Sequence, residues 1–244
     1  MIINLDNNSA HLPFTYEIVR SPRRRSISIE VRAACVRVRA PLGVAERDLH
    51  QFVREKRRWI SCKIAEQKQL LQAIPERHYQ SGAQLPYLGH SLKLVVETVN
   101  SPKVERSTVN GSEYLHVQIS ARSKMPVATQ VQRLVHIWYQ QEALRLLTQK
   151  TDQLVTRMAL RHAGVTVKAT RSKWGHCTSR GAIQYNWHIL LAPMNIVDYL
   201  VAHEVCHLRH PNHSPAFWQL VASVCPSFLE DRAWLKAYGA HLVL

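Results

Sequence analysis

The segment His203-Glu204-Val205-Cys206-His207 sets two imidazoles four residues apart, with a carboxylate beside the first. On a helix, residues four apart lie one turn above each other on one face. Two such imidazoles can share one Zn²⁺ at about 2.0–2.1 Å. Glu204 then reaches a water activated by the ion and can serve as general base. A catalytic zinc takes three protein ligands and keeps one position open. His210 and His213 compete for the third place. His210 shares the helix face, but its separation from His203 corresponds to roughly 10 Å along the axis. Ligand atoms on a sphere of about 2 Å radius cannot be spread so far. His213 follows Pro211-Asn212, where the chain must turn, and a turn can return it to the metal. The expected ligands are therefore His203, His207 and His213, with Glu204 catalytic. Glu230, from a later helix, is the alternative third ligand.

The helix that must carry this motif is signalled on both sides. Asn195 is a suitable N-cap, and Asp198 three residues on gives a capping-box-like pair. The run Ile196, Val197, Tyr199, Leu200, Val201, Ala202 is apolar enough to be buried. Pro211 ends the helix, because proline removes a donor and disfavours the α region at His210. Upstream, Arg171 to Cys177 reads as a basic turn in which Trp174 and Gly175 allow close packing. Ile183 to Leu191 reads as a strand leading to the metal helix. If the substrate is a peptide, residues 183–188 are expected to align it by edge pairing.

Composition bounds the alternatives. The chain has 244 residues, 46% of them hydrophobic, which suits one large or two small folded domains. No apolar run is long enough to span a bilayer, and no signal peptide is recognisable at the start, so a cytoplasmic location is expected. The five cysteines are odd in number and form no C-x-x-C, against a disulfide framework or a cysteine zinc knuckle. Cys206 reads as a small buried residue. The net charge of +15, from 32 basic and 17 acidic residues, favours polyanion contact, nucleic acid or polyphosphate included.

Along the chain, residues 12–40 alternate apolar and polar side chains as strands do, with arginines outward. Residues 44–74 have helical spacing in Leu49, Phe52, Val53, Trp59, Ile60, Ile64 and Leu70, and predict one long basic helix. Strands are expected at 84–90, 92–96 and 114–119, with turns at Ser101-Pro102 and Asn110-Gly111. Residues 126–163 predict a helix that starts at Pro126 and ends at Gly164, before a strand at 165–167. The switch from strands to helices predicts two domains, 1–125 and 126–244. The fold class is α+β: a β-rich N-terminal region with one long helix, then a mainly helical domain with a small sheet.

The order W-G-x-C, a strand carrying Asn186-Trp187, Pro193, then H-E-x-x-H-L-x-x-x-N-H-S-x-x-F-W resembles the YgjP-like metallopeptidase family, related to the SprT-like zinc proteases. Residues 24–29, Ala40-Pro41-Leu42-Gly43 with Trp59-Ile60, and Tyr87-Leu88-Gly89-His90 are similar to further family segments. The resemblance implies a zincin-like catalytic domain, Zn²⁺ on His203, His207 and His213, and Glu204 as the catalytic carboxylate. His176 stands where the family usually has serine, and Lys173 where it has arginine. The family is divided between metallopeptidase and nucleoside-triphosphate pyrophosphatase (UTP-type) activities. Three readings follow: a zinc metallopeptidase first, a metal-dependent pyrophosphatase second, a nucleic-acid-binding protein with a structural zinc third. The third requires a fourth protein ligand. The expected partners are a peptide or nucleotide substrate, with nucleic-acid contact possible through the basic surface.

Overall fold

The structure, a computed structural model, describes residues 2–3, 12–32, 35–72, 77–170 and 173–244. The chain divides into two compact units, Met1–Pro75 and Glu76–Leu244.

The first unit is a four-stranded sheet with two helices. Strands β1 (Ile2–Ile3), β2 (Tyr16–Arg20), β3 (Ser28–Arg32) and β4 (Cys35–Ala40) lie in the order β1-β2-β4-β3, with β2 and β4 parallel. In β4, Val36, Val38 and Ala40 turn inward while Cys35 and Arg37 are exposed, the period of two that a strand imposes. Leu49 and Val53 on α1 (Glu46–Glu55) and Ile60 on α2 (Arg57–Gln72) complete this core. The expected single helix over 44–74 is thus two. Lys56 leaves α geometry at φ −90°, ψ 5°, while its N–H still bonds Phe52 O at 3.2 Å and its carbonyl accepts from Ile60. The hydrogen-bond ladder runs almost unbroken and no Gly or Pro marks the joint, so side-chain spacing reads straight through it. Leu70 keeps its place in α2; Arg171 and Ser172 lie outside the described residues.

Among the described residues, the second unit has two sheets and four α-helices. Strands β5 (Gln84–Tyr87), β6 (His90–Val99), β7 (Lys103–Val109) and β8 (Ser112–Ser120) form a sheet in the order β5-β6-β8-β7. The sequence reading has no counterpart for β7, whose face is polar and exposed along most of its length. Two tight hairpins shape this sheet. Leu88-Gly89 and Asn110-Gly111 all have positive φ, the condition for a two-residue turn that matches strand twist. The apolar side of the sheet, with Leu92, Leu94, Leu115 and Val117, is covered by α3 (Val127–Arg157) through Val131, Val135, Tyr139 and Ala143 at four-residue spacing. A strand-rich and a helical segment therefore share one core. The boundary expected at 125–126 falls inside this unit, and the division between units comes at 75–76.

Helix α3 begins after Pro126, as expected, but ends before Gly164. Ala159 takes a left-handed conformation at φ 51°, and Leu160 N–H bonds back to Val155 O at 2.8 Å. This is the Schellman closure usually given to glycine, so an alanine there conceals the end of the helix. Strands β9 (Gly164–Lys168), β10 (Gly175–Cys177) and β11 (Ala182–Asn186) follow in the order β10-β11-β9. Two expectations change here. Residues 187–191 form a 3₁₀ turn rather than strand. β11 is the middle strand, paired on both sides, so its backbone is not free to take a peptide; the open edge beside the metal helix belongs to β10.

Helices α4 (Met194–Cys206), α5 (Pro215–Val224) and α6 (Phe228–Tyr238) complete the unit. α4 is buried on nearly every side, through Ile196, Val197, Tyr199 to Ala202 and Val205. Its N-cap is Pro193, not Asn195. Asn195 instead donates to Asp231 Oδ1 at 2.6 Å, and Asp198 meets Lys150 Nζ at 2.6 Å. The start of α4 is held from the other side by the Leu88-Gly89 turn. Leu88 N–H bonds Leu190 O at 2.8 Å, and a Cβ on Gly89 would stand 3.3 Å from Pro193 Cα. Asp231 is 3% exposed and also accepts from Ser227 Oγ at 2.7 Å. Removing its carboxylate breaks the bonds from Asn195 and Ser227, both exposed and open to water, so the loss is that of hydrogen bonds to a charged group, about 1.5–3 kcal/mol. Asp231→Ala is expected to lower the urea midpoint of unfolding accordingly; an unchanged midpoint would show that α4 does not depend on this tie.

Candidate metal centre

α4 ends at Cys206, and His207 caps it in the αR region. The last turn is tightened by Leu208 N–H to Val205 O and Arg209 N–H to Cys206 O. His203 and His207 still share one face, with ring centroids 4.9 Å apart. Pro211-Asn212 then turns the chain, and Ser214 caps α5 by accepting from Phe217 N–H at 3.3 Å, with Pro215 at the first turn. That turn brings His213 over the helix face.

The three imidazoles converge. One ligand atom from each of His203, His207 and His213 lies within 4.8 Å of the others, and the Nε2 atoms of His203 and His213 are 3.0 Å apart. Two nitrogens on a tetrahedral zinc at about 2.05 Å stand roughly 3.3 Å apart, so this spacing fits a shared ion closely. His207 Nδ1 lies 3.1 Å from His210 O. A carbonyl can only accept, so Nδ1 carries the proton and Nε2 keeps a free lone pair. His210 thus meets this ring through its backbone carbonyl, and its own ring lies outside the histidine group. Burial holds His203 down to about 3, and lowers His207 as well, so both rings are neutral and ready to coordinate. Their rotamers are fixed by aromatic packing. Phe217 stacks on His207 at 4.5 Å, Trp218 stacks on His213 at 5.5 Å, and Tyr199 meets His203 edge-on at 5.9 Å. His203 Nδ1 is buried without a hydrogen-bond partner among the described residues, so aromatic packing and the Nε2 contact with His213 orient that ring.

Glu204 is 4% exposed. Its carboxylate occupies the space a side chain at position 175 would need. A Cβ on Gly175 would stand 2.3 Å from Glu204 Oε1 and 2.5 Å from Cδ. The same edge strand gives Glu204 a donor, the backbone N–H of Cys177, while Oε2 has no partner among the described residues. Burial pushes the carboxyl up to about 8, against the pull of the Lys173 ammonium and the Cys177 N–H. A buried carboxyl with one satisfied and one free oxygen is suited to exchange a proton.

The three histidines singled out in the motif and its extension are brought together, and Glu204 follows the first of them on the same helix. Glu230 is exposed on α6 and lies outside the histidine group. Cys206 is fully buried and also outside it. The residue that sequence reasoning undervalued is Gly175. The W-G-x-C turn was legible as a tight bend, but a missing side chain does not announce which group fills its place. Cys177 is likewise a neighbour of Glu204; burial first, and that carboxylate second, push its thiol up, away from the thiolate a metal would require.

Three imidazoles about one point, on a chain segment that also carries a buried carboxyl, are in keeping with a metal-dependent hydrolase. The chain belongs to the YgjP-like metallopeptidase domain family, whose model matches residues 25–238. Comparisons with curated proteins and with solved structures gave no match.

Two outcomes follow from the seat of Glu204. Gly175→Ala forces the carboxylate out of place, an overpacking that costs about 1–3 kcal/mol. The variant should still bind metal through its histidines and lose most of its turnover; full activity would contradict this seat. The second concerns the metal-free protein. Glu204 holds its proton more tightly folded than unfolded, so the stability this gives is present at acid pH and lost as pH rises through about 8. Glu204→Gln removes that slope. His203 and His207 titrate in both proteins and cancel in the difference. Melting curves of the chelated pair should show Gln gaining on wild type from pH 5 to pH 9; a constant difference would contradict the buried, unpaired carboxyl.

Proposed function

We propose that the protein is a zinc-dependent hydrolase, most readily a metallopeptidase, with Glu204 as general base. The observation that carries this is the convergence of His203, His207 and His213 within 4.8 Å, on a chain segment that also carries the buried Glu204. His203, His207 and His213 would hold the ion, which supplies polarisation of the scissile group and acidification of a water. Glu204 takes the proton of the attacking water on its carboxylate and returns it to the leaving group. Gly175 keeps the carboxylate in place by leaving room for it, and the Cys177 N–H steadies one of its oxygens. The outer edge of β10 runs past Glu204; the Cys177 N–H there is given to that carboxyl, and the Gly175 backbone is left to pair with a substrate of extended backbone. This edge favours a peptide over a nucleotide. The histidine group has three members among the described residues, which leaves a coordination position free, as catalytic rather than structural sites require.

The test is a substrate panel. Zinc-loaded protein is incubated with casein and with nucleoside triphosphates, each with and without a chelator. Casein hydrolysis that stops on chelation is the expected result; cleavage confined to the triphosphates would replace the peptidase reading with the pyrophosphatase one. Glu204→Gln should keep the metal and lose about 10²–10⁴-fold in turnover. Unchanged turnover in that variant would remove Glu204 from the mechanism.

A further inference from the structure

A cavity of about 660 Å³ opens beside the turn that carries Gly175. Thr170, Lys173, Trp174, Asn186, His188 and Lys236 line it, and the chain after α6 closes its far side. No aspartate or glutamate is among its lining residues. Neither Lys173 nor Lys236 has an ion-pair partner among the described residues. Lys173 also acts on the Glu204 carboxyl, which lies outside the lining; two ammonium groups on one cavity raise its positive potential, and an anion relieves them.

The cavity wall is fixed from within. The backbone N–H of Asn186 bonds Trp174 O at 2.7 Å, and its Nδ2 donates to Thr170 O at 2.9 Å. Its Oδ1 accepts from the backbone N–H of His188 at 3.2 Å and from the ring Nδ1 at 3.0 Å. Asn186 is 5% exposed, so these bonds hold a buried frame. With the frame's polar groups occupied by one another, the two lysines remain as free donors. A preformed wall with a few convergent polar groups is the usual make-up of a ligand pocket.

Its position relative to the catalytic carboxylate is also informative. β10 begins at Gly175, over Glu204, and Lys173 lies two residues before it. Lys173 and Trp174 form the bend that leads into β10, so a substrate strand that runs past the start of β10 heads toward the cavity both of them line. We propose that this cavity is a substrate subsite for an anionic group, the carboxylate of a peptide terminus or acidic side chain, bound by Lys173 and Lys236. The proposal rests on the hydrolase reading for its role in turnover. A phosphate shares the same chemistry, and the experiment separates the two.

The measurement is calorimetric binding to the Glu204→Gln protein, which prevents turnover, in metal-loaded and chelated forms. The probes are a pentapeptide with a free C-terminal carboxylate, the same peptide as its C-terminal amide, and inorganic triphosphate. The acid should bind at least ten-fold more tightly than the amide in both forms. Lys236→Gln and Lys173→Gln should each reduce that preference to less than threefold, while Lys236→Arg keeps it. Circular dichroism confirms that each variant is folded. Triphosphate binding tighter than the acid, and lost in the same variants, keeps the anion subsite and assigns it to phosphate. A preference that disappears on chelation places the anion on the metal and overturns the subsite. So does equal binding of acid and amide with no bound triphosphate, or a preference that survives both glutamine variants. Failure of the hydrolase reading shows elsewhere, as absence of turnover in the substrate panel, and leaves these binding results interpretable.

Discussion

A carboxylate lies in the interior of this protein because a glycine on the neighbouring strand has left room for it. Glu204 sits on a helix buried on nearly every side, where an unpaired charge is costly. Its place is defined by Gly175, whose missing Cβ would stand 2.3 Å from Oε1, and by the N–H of Cys177. Much of the second unit can be understood as support for that contact. The Leu88-Gly89 hairpin holds the start of α4, Asp231 ties it to α6, and β11 carries β10 across it. The three imidazoles need a similar degree of order, and stacked aromatic rings supply it.

The two halves of the site are built by different means. The histidines come from one continuous stretch, a helix, its tightened end and the turn after it, so their convergence is a local property of the chain. Glu204 shares that helix, but its environment is assembled from β10, distant in sequence. Arg232 lies 4.6 Å over the Trp218 ring that stacks on His213, which extends the ordered shell to α6. The histidine cluster is thus largely a local product of the chain, whereas the seat of Glu204 depends on the fit of a remote strand.

This difference explains what could be read in advance. The histidine spacing, the apolar run and Pro211 are local signals, and the three histidines they single out lie together in the structure. Strand alternation located β2, β3, β4, β6 and β8, because half-buried strands impose a period of two. What escaped the sequence was set by tertiary contacts. β7 is exposed along most of its length and leaves little apolar imprint. Ala159 closes α3 in a role usually given to glycine, and Lys56 joins two helices with no breaker. Asn195 has the chemistry of a cap but is engaged by Asp231. The change from strands to helices near residue 125 resembled a domain boundary until α3 was seen to cover the sheet.

The central claim is that three imidazole nitrogens hold the ion and leave a position open next to Glu204. X-ray absorption spectroscopy of the zinc-loaded protein tests it directly. The account predicts a first shell of nitrogen and oxygen scatterers at about 2.0–2.1 Å, with the multiple-scattering signature of three imidazoles and one further light atom. A sulfur scatterer at about 2.3 Å, placing Cys177 or Cys206 on the metal, would contradict it.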